Sequence, residues 1–85
     1  MRISKRALSR ARFYRNGRPG AVLREFLIGR DFVRLWMPRL RGRYVKLDKG
    51  QHETREAAVA EARAFRDYCR MLLAKRTHHQ QEKSK

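Results

Sequence analysis

Acidic side chains are scarce in this sequence. Only 8 Asp and Glu stand against 23 Lys and Arg, a formal net charge of +15 over 85 residues. No carboxylate occurs before Glu25. A chain so short of negative charge has little with which to neutralise its own surface, and its field attracts polyanions over a Debye length. Cysteine is nearly absent as well: Cys69 stands alone, which excludes an intrachain disulfide and a cysteine-based metal cluster. A lone thiol fits a reducing cytoplasm. No apolar run approaches membrane-spanning length, and the first residues lack the apolar segment of a secretory signal, so no membrane partner is expected. Residues 1–18, Arg-rich and free of acid, also match a mitochondrial presequence, which is the alternative reading of that stretch.

The sequence is equally poor in catalytic groupings. It has no Ser-His-Asp set and no glycine loop to cradle a phosphate, and a chain of this size is not expected to enclose a pocket. The expectation is a non-enzyme without a cofactor. His52, His78 and His79 have no Cys or carboxylate at ligand spacing, so no metal is expected either.

What the chain does contain is enough apolar residues, 41%, for one small core, and a cationic surface placed unevenly. Residues 1–49 hold 15 basic and 3 acidic side chains, whereas residues 50–85 hold 8 and 5. Most of the cations are Arg, whose planar fork matches phosphate oxygens and guanine edges. Residues 1–20 read as a basic flexible arm, with Asn16-Gly17 and Pro19-Gly20 as turn signals. A short helix over residues 1–15 would be marginal in water without an anion.

Residues 21–47 read as three short strands. The first, 21–28, stops at the tight turn Gly29-Arg30-Asp31; the second, 32–37, is closed by Pro38; the third covers 43–47. Close spacing favours an antiparallel meander. A helix over residues 55–75 follows, with Thr54 as N-cap and Glu56 in its first turn. Ala58, Ala62, Phe65, Cys69 and Leu72 form its apolar stripe. Residues 77–85 read as a polar disordered tail. The expected fold is α+β: residues 21–76 form a three-stranded antiparallel sheet packed on one face by the C-terminal α-helix.

Strand alternation then assigns the faces. The helix is expected to cover Val33, Leu35, Met37, Val45 and Leu47; in the first strand Leu23 and Leu27 suit the core as well, unless a bulge reverses part of that strand. The open face would carry Arg34, Trp36, Tyr44 and Lys46, with Arg24 and Phe26 from the first strand and Arg39, Arg41 and Arg43 beside them. Together with Arg6, Arg10 and Arg12 of the arm, these side chains make a candidate nucleic-acid surface, because sheet strands enter major grooves where Arg reads guanine and flanking cations hold phosphates.

Three stretches carry a resemblance: Arg34-Leu35-Trp36, Gly42-Arg43-Tyr44-Val45-Lys46-Leu47, and the opening of the helix, Thr54-Arg55-Glu56-Ala57-Ala58-Val59-Ala60-Glu61-Ala62. Over roughly residues 21–70 the chain resembles the DNA-binding domain of plant ethylene-response-factor (APETALA-type) proteins and the arm-site-binding N-terminal domain of phage tyrosine integrases. The resemblance implies a sheet laid in a DNA major groove, with Arg34 and Trp36 making base and backbone contacts and Arg24, Arg43 and Lys46 in support. Residues 48–53 depart from the families' usual Gly-x-Phe before the helix, and no recombinase catalytic domain follows. A stand-alone version would suit a small phage or mobile-element protein. Double-stranded DNA is thus the first expected partner, and RNA, through stacked bases, is another. A functional alternative is a small inhibitor or adaptor docking on an acidic protein surface, with Trp36, Tyr44 and nearby Arg as anchors.

Overall fold

Turn chemistry sets the sheet. The computed structural model describes the backbone of residues 3–83 and the side chains as far as residue 75. Strands β1 (Gly20–Ile28) and β2 (Asp31–Leu40) form a hairpin closed by the two-residue loop Gly29-Arg30. Arg41 and Gly42, with φ of 53° and 75°, then lead into β3 (Arg43–Tyr44). Positive φ at both central residues marks a type I′ turn, whose twist suits an antiparallel hairpin. That backbone is unfavourable for arginine, and two contacts hold it: the Arg41 guanidinium donates to the Phe13 carbonyl at 3.1 Å and lies 4.3 Å from the Phe13 ring centroid.

The strands lie in the order β1-β2-β3, antiparallel throughout, and the C-terminal helix α2 (Arg55–Lys83) packs on β1 and β2. The α+β fold expected from the sequence is therefore present. Thr54 caps α2 as expected, its Oγ1 accepting from the Ala57 N–H at 3.2 Å. Small Ala58 and Ala62, both fully buried, let the helix approach the sheet, and Phe65 and Cys69 complete its inner stripe.

Two segments differ from expectation. Residues 5–14 are not a loose arm but helix α1 (Lys5–Tyr14), packed on α2. Ser4 supplies its N-cap, accepting from the Ala7 N–H at 3.1 Å, and Leu8, Ala11 and Tyr14 are buried on one face. Tyr14 meets Phe65 edge-on, with centroids 5.3 Å apart. Tertiary packing thus supplies the stability that an isolated helix of this length lacks in water. At the other end, α2 continues to Lys83, through most of the stretch read as a disordered tail. Residues 84–85, like 1–2, lie outside the described residues, as do the side chains of His78 and His79.

The third strand is also shorter than expected. The Val45 N–H donates to the Pro38 carbonyl at 3.1 Å. In an antiparallel ladder Pro38 would have to return that bond, and proline has no N–H to give. The chain leaves the ladder after Val45 and rejoins it at His52, which exchanges two backbone bonds with Trp36 at 2.7 and 2.9 Å. Between them, Glu61 of α2 gathers the detour. One of its carboxylate oxygens accepts from the N–H groups of Leu47 and Asp48, at 2.7 and 2.9 Å; the other accepts from Gly50 at 2.8 Å and from His52 Nε2. Glu61 is only 6% exposed. Burial pushes its carboxyl up, but the bonds from Asp48, Leu47, His52 and Gly50 outweigh that and hold it at about 2. The carboxylate accepts only, so His52 Nε2 carries the proton. Leu47, expected in the core, is drawn out with this loop and is left exposed.

Candidate nucleic-acid interface

Register decides which side chains share a face. Directly opposed residues of an antiparallel pair point the same way. The pairs Val22–Met37, Arg24–Leu35, Phe26–Val33 and Arg39–Tyr44 therefore lie on one side, and Leu23–Trp36, Ala21–Pro38 and Leu40–Arg43 on the other. Leu40, fully buried, belongs to the core with Ala62, Phe65 and Cys69, so the second side is the one beneath the helices. This reverses the expected assignment of β2. Val33, Leu35 and Met37 face away from α2, whereas Trp36 points to the helix side and is half-buried there. The reason is that β2 does not stop at Pro38. It runs on to Leu40, so the stripe Trp36-Pro38-Leu40 outcompetes Val33-Leu35-Met37 for the helices. Arg34 shares the helix side but stays exposed, because the hairpin extends past the helix layer there; Leu27 and Phe32 nearby are 62% and 69% exposed.

All but two of the expected site residues fall into three groups. Arg24, Arg39 and Tyr44 stand on the open face, where with Val22, Phe26, Met37 and Gly42 they line a shallow groove of about 290 Å³. Arg39 also donates to the Gly42 carbonyl. Arg41 and Arg43 flank the sheet's end, both over the Phe13 ring. Arg6, Arg10 and Arg12 are exposed on α1, with Arg10 lying 5.4 Å from the Phe65 ring centroid. Lys46 falls with Arg10 on the rim of a second groove, between α1 and α2. Arg34 and Trp36 join none of these groups.

The three groups are physically continuous. Phe13 ties α1 to Arg41 and Arg43, Gly42 ties that turn to Arg39, and Arg39 opens onto the outer face. The C-terminal end of α1 reinforces the join, since its exposed carbonyls attract cations: Arg70 Nε donates to the Arg15 carbonyl at 2.8 Å, just as Arg41 serves Phe13. Among the described residues, Arg66 with Asp67 is the sole Arg or Lys ion pair, at 3.4 Å. Glu61, the one buried acid, is spent on backbone N–H groups and His52. Among the described residues, the cations of α1 and the sheet thus have no carboxylate partner.

Phe26 stands on the open face as expected, and Val22 and Met37, not counted there, complete it; continuing the alternation of β2 through Pro38 would have revealed Met37. Glu61 left a signal too: it sits one turn from Ala58 and Phe65, on the buried side of the helix. Cys69 is buried in the core, and burial raises its thiol pKa, so it is packing rather than a reactive nucleophile. No helix among the described residues is long and apolar enough to cross a membrane. Comparison with known proteins returned no matching family model, no similar curated protein and no similar solved structure.

Proposed function

We propose that this protein binds nucleic acid, DNA in the first instance, in a binding rather than a catalytic role. Phosphates are held by the cations of α1 and the β2–β3 turn, and the open sheet face meets the bases. The observation that carries this reading is the uncompensated charge: +15 overall, with one Arg–carboxylate pair among the described residues. Such a surface repels itself, and a polyanion relieves the strain. The free, buried thiol of Cys69 suits a cytoplasmic setting.

Binding should weaken steeply with salt, because each neutralised phosphate releases a counterion. Titrations of a labelled oligonucleotide over a range of salt concentrations measure that slope. Replacing Arg6 and Arg12 with Ala should lower it by about one per residue, whatever the base sequence. Oligonucleotide binding that ignores salt would overturn this reading, and a cellular partner retained after nuclease treatment would point instead to an acidic protein as the ligand.

A further inference from the structure

We infer that the open sheet face binds unstacked bases, so that the preferred ligand is single-stranded nucleic acid; this rests on the nucleic-acid reading above. The face has an apolar centre. Val22, Phe26, Val33, Leu35 and Met37 are half-buried against one another, yet both helices lie on the opposite side of the sheet. Arg24 and Arg39 interrupt this apolar field, and Tyr44, 48% exposed, stands at its end. Whatever covers such a face must be flat and apolar in the middle and anionic at the margin.

A duplex does not offer that. Its bases show the protein only their edges, which are hydrogen-bond donors and acceptors apart from the thymine methyl. Valine, leucine and methionine pressed against those edges would remove water without replacing its hydrogen bonds. A single strand offers the faces of its bases, which stack on aromatic rings and guanidinium planes irrespective of sequence. Phe26 lies opposite Val33 and Tyr44 opposite Arg39, six residues along β2, or about 20 Å at the rise of a strand. That span accommodates several bases, with Arg24 between the rings and Arg39 beside Tyr44 to take the phosphates. A second copy of the chain is a poor occupant, since it would bring two surfaces of +15 together and double the Arg24 and Arg39 charges.

The test is fluorescence anisotropy at near-physiological salt with labelled oligothymidine, a duplex of the same length, and inorganic polyphosphate as a base-free polyanion. The expected order is oligothymidine tightest, by about ten-fold over duplex. Tyr44→Ala should cost oligothymidine about ten-fold, Tyr44→Phe almost nothing, and neither should alter polyphosphate binding. Phe26→Leu, which removes the ring while keeping the apolar bulk that the fold needs, should weaken oligothymidine in the same way. The single tryptophan reports the face in use: Trp36 emission should stay unquenched, because Trp36 lies on the helix side. Equal or tighter duplex binding, an unaffected Tyr44→Ala, or a quenched Trp36 would overturn the inference while leaving nucleic-acid binding in place. Failure of the folded protein to bind either nucleic acid would overturn both.

Discussion

The two faces of this sheet are built from alternate residues of the same strands, and they have opposite fates. On one, Leu40 and Pro38 are fully buried beneath α1 and α2. On the other, Leu35 and Met37, of comparable hydrophobicity, are only half-buried, and neither helix lies above them. Hydrophobic character alone does not explain the difference. The covered side combines a proline, which cannot serve the ladder fully, with Leu40 next to a turn that reaches Phe13 of α1. Packing on that side closes a core of Ala11, Tyr14, Leu40, Val45, Ala62, Phe65 and Cys69. On the open side neither helix covers the strands.

Paired truncations break this comparison most sharply. Leu40→Ala should lose about 3 kcal/mol of stability, the cost of a cavity in a closed core. Leu35→Ala should lose about 1 kcal/mol, because its side chain is partly solvated already. Urea unfolding of both variants measures the gap, and equal losses would mean that the open face is covered in solution. Next in size is the Glu61 anchor, which holds the detour in the third strand at the edge of the covered side. Its carboxyl is lowered from 4.5 to about 2, so its stabilisation is fully present above pH 4.5 and is lost as pH falls toward 2. The amount at stake is about 3 kcal/mol at most. Glu61→Gln should cost about 2 kcal/mol at neutral pH and flatten the acid limb of a stability-versus-pH curve. An unchanged acid limb would assign that limb to other carboxylates.

Much of this architecture was legible in the residues themselves. Gly29-Arg30 announces the first turn, Thr54 the start of α2, and Ala58, Ala62, Phe65 and Cys69 its buried stripe. The orientation of β2 was not, because period two fits two stripes equally well: Val33-Leu35-Met37, and Trp36-Pro38-Leu40. Choosing between them requires knowing that a central strand tolerates Pro38, and that depends on β3 leaving the ladder. The departure depends in turn on Glu61, whose partners besides His52 are backbone groups that no side-chain pattern displays. For the candidate site the same ambiguity separated Arg24, Arg39 and Tyr44, which share the open face, from Arg34 and Trp36, which do not. α1 was missed for a related reason: its helix is marginal by propensity and is stabilised by Phe65 and Leu40, far away in sequence.

Arg24 and Arg34 turn that separation into a measurement. Both are exposed arginines of one hairpin, on opposite faces. Arg24→Ala should weaken oligothymidine binding about five-fold, in line with the loss of about 1 kcal/mol from one charged contact, whereas Arg34→Ala should stay within about two-fold. Reversal of that order would return the base-contacting role to the helix side.

The smallest expected effect concerns the roof of the covered face. Because α1 is part of the fold, its N-cap contributes to global stability. Ser4→Ala would then remove the acceptor for the Ala7 N–H and cost roughly 0.5 to 1 kcal/mol in urea unfolding. A detached basic arm would make the same substitution silent, since a cap on a helix that is not formed stabilises nothing. The two outcomes differ by little energy but by much in mechanism. A docked α1 holds Arg6, Arg10 and Arg12 on a backbone that is already ordered before binding, leaving only side-chain entropy to be lost. A free arm would lose conformational entropy each time it engaged a phosphate backbone.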